Sequence, residues 1–174
     1  NYVFNKSDLS TSVSKIEMKK IKKLYNTRCV NLNNGVSEKV LKFSKKKLIK
    51  FKYLIYCGSY KYLPNKHAID YLIYVLMPKL KRKFPKLKLV LTGGGFNKFN
   101  NQVINVGIVP KSKLLNLIFN SNIMVLPINK GTGTRIKIIE AMLIGAKILT
   151  TKKGIEGIIH KKNTFPIIQN KKYF

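Results

Sequence analysis

Residues 123–151, IMVLPINKGTGTRIKIIEAMLIGAKILTT, decide the fold. Ile123 to Leu126 has the length and apolarity of a strand buried on both faces, and a turn bearing Gly131 and Gly133 follows it. Arg135 to Ile144 then reads as an amphipathic helix with Ile136, Ile139 and Leu143 on its apolar face. Gly145 suits a left-handed stop after Ile144, and Lys147 to Thr151 resumes as strand. Strand, glycine turn, helix and strand make the repeating unit of a parallel sheet. The turn also has a chemical reading. Glycines leave backbone N–H groups uncovered, and the first turn of a helix presents unpaired donors whose aligned dipoles favour an anion. Arg135 and Lys137 place cations at this helix start, where they do not help the helix itself, so their position points to a phosphate-bearing ligand.

The same alternation runs through the rest of the chain from Phe51 onward. Strand-like runs at Phe51 to Cys57, Leu87 to Thr92 and Val103 to Val109 alternate with helical patterns at Lys66 to Phe84 and Lys111 to Asn120. A last strand-like run covers Phe165 to Ile168. This order predicts an α/β fold, a Rossmann-like parallel sheet with flanking helices. Asn65 reads as the N-cap of the first long helix, with Ala68, Leu72, Val75 and Leu76 as its core stripe, and Pro78 is expected to kink or break it. Residues 1–50 differ in composition. They are rich in Ser, Asn and Lys, with one basic helical stretch from Ser14 to Tyr25 and a turn at Asn33, Asn34 and Gly35, and are expected to be a linker plus the remnant of a preceding unit.

With 35 Lys and Arg against 6 Asp and Glu, the 174-residue chain carries a net charge of +29. That charge invites anionic partners: nucleotides, nucleic acid or an acidic membrane surface. A/T-rich codons account for it as readily, since only Arg28, Arg82 and Arg135 are arginine and Lys, Asn and Ile dominate. Specific nucleic-acid reading is not indicated, because no arginine fork or aromatic platform clusters along the chain. Cys29 and Cys57 stand apart, without metal-site spacing, which suits a reducing compartment. The apolar runs are too short to cross a bilayer, so the expected location is cytoplasmic, with peripheral contact at the inner membrane face.

Few residues can do acid–base or metal chemistry. Three of the six carboxylates (Asp8, Glu17, Glu38) fall in the first 50 residues, no Asp-x-Asp or His pair occurs, and His67 and His160 are isolated. Neither paired-carboxylate hydrolysis nor a metal site is expected. Glu140 has two readings: a solvated charge paired with Lys137 at i, i+3, or a carboxylate level with the phosphate site that accepts ribose hydroxyls. Gly58 after the first strand and Gly94 within the triple glycine 93–95 end other parallel strands, where ligands of such sheets gather.

The blocks YCGSYKYLPN (56–65), LKLVLTGGG (87–95), VGIVPKSKL (106–114) and PINKGTGTRIKIIEAMLIGAKILTTKKGIEGI (127–158) together resemble the C-terminal, donor-binding domain of group 1 (family 4-like) GT-B glycosyltransferases. The resemblance covers roughly residues 51–170, and the last block is its most specific part. It implies a sugar transferase that uses a nucleotide-diphosphate sugar as substrate, without cofactor or metal. In it Arg135 and Lys137 are the catalytic cations at the diphosphate, Gly58, Gly94, Gly131, Thr132, Gly133 and Thr134 frame the donor, and Glu140 binds the ribose. Many relatives carry a second Glu where this chain has Thr132, eight positions before Glu140. The resemblance further implies that residues 1–50 end a missing N-terminal acceptor domain and that 51–174 are a truncated nucleotide-sugar-binding domain, inactive alone. The alternatives are a GT-B-fold sugar-nucleotide epimerase and a non-enzymatic basic module that binds nucleic acid or acidic membrane.

Overall fold

Five consecutive residues, Tyr53 to Cys57, are all buried, and this continuous apolar run is the central strand of a sheet covered on both faces. The computed structural model describes residues 2–46, 49–96 and 101–160. The expected strand Phe165 to Ile168 lies outside them. A short helix α1 (Tyr2–Asn5) precedes a small unit of strand β1 (Ser10–Ser12), helix α2 (Lys15–Tyr25) and strand β2 (Cys29–Asn31), with β1 and β2 paired in parallel. The main unit comprises β3 (Tyr53–Cys57), α3 (Leu63–Tyr71), α4 (Met77–Lys83), β4 (Lys88–Thr92), β5 (Val103–Asn105), α5 (Lys111–Asn120), β6 (Ile123–Leu126), α6 (Ile136–Leu143) and β7 (Ile148–Thr150).

The five strands of the main sheet are all parallel, in the order β5-β4-β3-β6-β7. The chain builds outward from β3 to β4 and β5, then α5 carries it back past β3 to β6. Strand order therefore reverses between β3 and β6, and a crevice opens at their C-terminal ends, the place where ligands of open α/β sheets bind. Buried Leu89, Val90 and Leu91 of β4, Met124, Val125 and Leu126 of β6, and Ala68, Ile69 and Leu72 of α3 and the turn after it fill the core.

Several sequence expectations are corrected. Asn65 does not cap α3: Tyr62 does, Pro64 occupies the first turn, and Asn65 lies inside the helix. Pro at that position costs nothing, because its missing N–H would have had no partner there. The helical run does not end at Pro78. Leu72–Leu76 form a π-helical turn, in which Met77 N–H donates to Leu72 O, and a fresh α-helical segment begins at Met77 with Pro78 in its first turn. The extra residue of the wider turn also shifts the buried face to Ala68, Ile69, Leu72, Ile73 and Met77, leaving Val75 and Leu76 only half-buried. The third strand stops at Asn105 rather than Val109, with Ile108 86% exposed. In α6 the sheet takes Ile138 and Ala141, whereas Ile136 and Leu143 are 44% and 48% exposed. The face expected to be core instead turns outward, and Ile139, Met142 and Leu143 line a cavity of about 200 Å³ together with Val13, Asn33 and Ile158.

Residues 10–31 form a β-α-β unit of their own. Ser14 caps α2 by accepting from the Glu17 N–H, and the helix buries no residue, so its basic side chains stay solvated.

Candidate functional site

Three loops meet at the C-terminal edge of the main sheet. The loop after β3 is tied to the triple glycine after β4: Gly58 N–H donates to Thr92 O at 2.8 Å, and Tyr60 N–H donates to Gly94 O at 2.9 Å. Gly58 and Gly94 are thus brought together, as the glycine-bearing strand ends suggest. The third loop, 127–135, joins them through Gly131, whose position faces the Tyr62 hydroxyl and Pro64. Gly131 and Gly133 adopt φ of +93° and +82°, left-handed conformations that let the backbone double back over its own carbonyls.

Arg135 explains why the loop keeps that shape. Its guanidinium donates to the carbonyls of Gly133, of Lys130 at 3.2 Å and of Gly131 at 3.1 Å. The cation misplaced for helix stability therefore staples the turn that precedes the helix. These bonds occupy three of its five N–H donors. Arg135 is also the N-cap of α6 and supplies no side-chain acceptor to the helix's first turn.

Lys137 reaches in the other direction. Its Nζ donates to Cys57 O at 2.7 Å and to Asn65 Oδ1 at 3.4 Å, and lies 4.9 Å from the centroid of the Tyr56 ring. Burial pushes this ammonium down to about 8, against the pull of the nearby Cys57 and with help from Arg135. Asn65 holds this corner together. Its Oδ1 accepts from the Tyr56 hydroxyl at 2.8 Å and its Nδ2 donates to Ser59 O at 2.9 Å. Burial raises the Tyr56 phenol well above its ordinary range and takes the Cys57 thiol up to about 11. Thr92, Lys137 and Lys111 work against that rise in Cys57 and Glu140 adds to it, so all these groups surround the end of β3.

Glu140 pairs with Lys111, the first residue of α5, at 2.5 Å, and not with Lys137 one turn earlier on its own helix. The i, i+3 pairing expected from sequence gives way because Lys137 is drawn inward to Cys57 O. Thr132 and Thr134 face elsewhere. Thr134 Oγ1 donates to Val13 O at 3.3 Å, and Thr132 and Gly133 line a cavity of about 50 Å³ with Ser14, Glu17, Lys20, Lys153 and Glu156. Lys153 bonds Glu156 and holds its carboxyl below the usual range. The structure thus gathers Gly58, Gly94, Gly131, Arg135, Lys137 and Glu140 around the crevice, and turns the two threonines toward the N-terminal unit.

Sequence reasoning missed Tyr56, Asn65 and Lys111. For Lys111 a signal existed: like Arg135 and Lys137 it is a cation at a helix start. Asn65 carried a misleading one, because an asparagine after proline imitates an N-cap. Among the described residues, no group of three or more His, Cys, Asp or Glu converges as a metal site, and no helix is long and apolar enough to cross a membrane.

A family model described as glycosyl transferases group 1 matches residues 51–172. Among solved structures, OtsA in its apo form aligns with a TM-score of 0.65 at 8% identity, over 84% of this chain and 46% of that one. HepE of Anabaena, solved with UDP and glucose, aligns at 0.61 and 13% identity, over 87% and 46%. A UDP-forming trehalose-phosphate synthase from Burkholderia xenovorans aligns at 0.62 and 8% identity, over 84% and 47%. At such identities the likeness is one of fold, and the chain spans about half the length of each of these proteins. No curated protein sequence matches the chain.

Proposed function

The chain belongs to the group 1 glycosyltransferases, and from that premise we propose that it is the half of such an enzyme that binds a nucleotide-diphosphate sugar. The observation that carries this reading is the convergence of the glycine loop, Arg135, Lys137 and Glu140 on the crevice where strand order reverses. The diphosphate lies over Gly131 at the start of α6, between the two cations, and Glu140 accepts the ribose hydroxyls from farther along the helix. When the sugar leaves, negative charge grows on the departing phosphate. The aligned N–H groups of the helix start and the ammonium of Lys137 stabilise it, a role that needs no metal ion. The lysine-rich surface favours peripheral contact with acidic lipid. HepE, solved in complex with UDP-glucose, supports a UDP-sugar as the class of donor.

Glu140→Gln tests the assignment, because it keeps the shape and removes the charge. Titration calorimetry should show UDP and GDP weakened by about 1–3 kcal/mol, the range for a hydrogen bond to a charged group, with inorganic pyrophosphate barely affected. Unchanged nucleotide affinity would refute the ribose assignment. Binding by lysines alone would instead tolerate Glu140→Gln and fall steeply with salt.

A further inference from the structure

Glu140 does not stand free at the crevice. Lys111 Nζ lies 2.5 Å from Glu140 Oε1, and the pair joins the first residue of α5 to the middle of α6. The carboxylate is the more enclosed partner, its side chain 13% exposed against 47% for the lysine. A cation in the first turn works against the dipole of its own helix, and Pro110 before it offers no side-chain cap. Lys111 therefore adds nothing to α5. What its position supplies is a fixed charge beside Glu140.

We propose that Lys111 is a positioning residue for the donor: it holds the Glu140 carboxylate in the orientation that receives the two ribose hydroxyls. This rests on the reading of Glu140 as the ribose ligand. An ionised carboxylate has about four lone-pair sites. Lys111 uses one on Oε1 and leaves Oε2, with the other site of Oε1, for a vicinal diol. A glutamate with three free torsions would otherwise have to be ordered when the nucleotide arrives. Holding it beforehand removes an ordering cost that corresponds to roughly three- to tenfold in affinity. The lysine also offsets the negative charge that Glu140 brings close to a diphosphate.

The test is calorimetric titration of the unaltered chain, Lys111→Met, Lys111→Arg, Glu140→Gln and the Lys111→Met/Glu140→Gln double variant. The ligands are UDP, GDP and inorganic pyrophosphate at one ionic strength. Lys111→Met should weaken the better-bound nucleotide about three- to tenfold and pyrophosphate less than twofold. Lys111→Arg should restore binding, and Lys111→Met should add nothing once Glu140 is Gln. A merely structural lysine would not give this selectivity for the nucleoside or this dependence on Glu140. Three outcomes overturn the positioning role: unchanged nucleotide affinity in Lys111→Met, equal loss for nucleotide and pyrophosphate, or an undiminished effect in the Glu140→Gln background. If Glu140→Gln weakens the nucleotide and Lys111→Met does not, only the positioning role falls. No nucleotide binding by the unaltered chain overturns both readings.

Discussion

Replacing Lys137 by Met should flatten the rise of stability with pH. In the folded chain burial pushes the Lys137 ammonium down to about 8, whereas the unfolded chain titrates near the ordinary 10.5. Between these values the unfolded state binds the proton more often than the folded state, so unfolding free energy increases with pH. The cost of burying the charge is fully present below pH 8 and is relieved as pH climbs toward 10.5. One-proton linkage with these two values gives a gain of about 1 kcal/mol between pH 7 and pH 9. Cys57 acts in the opposite sense: its thiol is raised from 9.0 to about 11, so the unfolded chain loses that proton first and stability falls with pH. Lys137 itself holds that thiol down, so Lys137→Met lets it rise further and steepens this fall, in the same direction as the loss of the lysine's own contribution. The assay is urea denaturation of the two proteins at pH 7, 8 and 9, under reducing conditions and constant ionic strength. Lys137→Met also leaves Cys57 O and Asn65 Oδ1 short of a donor and lowers absolute stability, so the pH slope is the readout. Parallel profiles for the two proteins would refute the argument and show that Lys137 titrates as a solvated lysine.

Arg135→Ala should weaken UDP and pyrophosphate to a similar degree, by about 1–3 kcal/mol, since it removes both a charged donor and the staple on three loop carbonyls; calorimetry with both ligands checks this, and a loss confined to UDP would place Arg135 away from the diphosphate. Gly93→Ala should destabilise the fold by about 2 kcal/mol or more, because the residue sits at φ +126° and the added Cβ would come 2.5 Å from Gly58 O. Thermal denaturation reads that loss, and unaltered stability would mean that the two glycine loops are not locked together in solution.

Local pattern served well where an element is stabilised along its own length. The helix Lys111–Asn120 and the strand Ile123–Leu126 are found with the bounds their sequence suggests, because a run of strand length and a 3.6-residue repeat are properties of contiguous residues. The parallel pairing of β3 with β4 and of β6 with β7 follows from the same alternation, since the helices between them carry the chain back to the start of the next strand, whereas β4 and β5 are parallel with no helix between them among the described residues. Prediction faltered where two local arrangements compete. Pro78 forbids one hydrogen bond, and whether the helix breaks or widens by one residue depends on what the following segment packs against. Helix α6 is apolar on more than one side, so periodicity cannot decide which side the sheet takes; Ile138 and Ala141 are buried, and Ile139 and Leu143 face the N-terminal unit.

The candidate site divides along the same line. The kinds of residue and their order, glycine loop, Arg135, Lys137 and Glu140, stand in one contiguous stretch, and a glycine turn opening into a helix is legible there because backbone donors and helix dipole arise from neighbouring peptides. The partners of the long side chains are not legible. Lys137 meets Cys57 O across 80 positions, Glu140 meets Lys111 across 29, and Thr134 meets Val13 across 121. A flexible charged side chain bonds whichever oppositely polar group the packed sheet brings within about 3 Å, and that choice exists only once β3, α5 and α6 have been assembled.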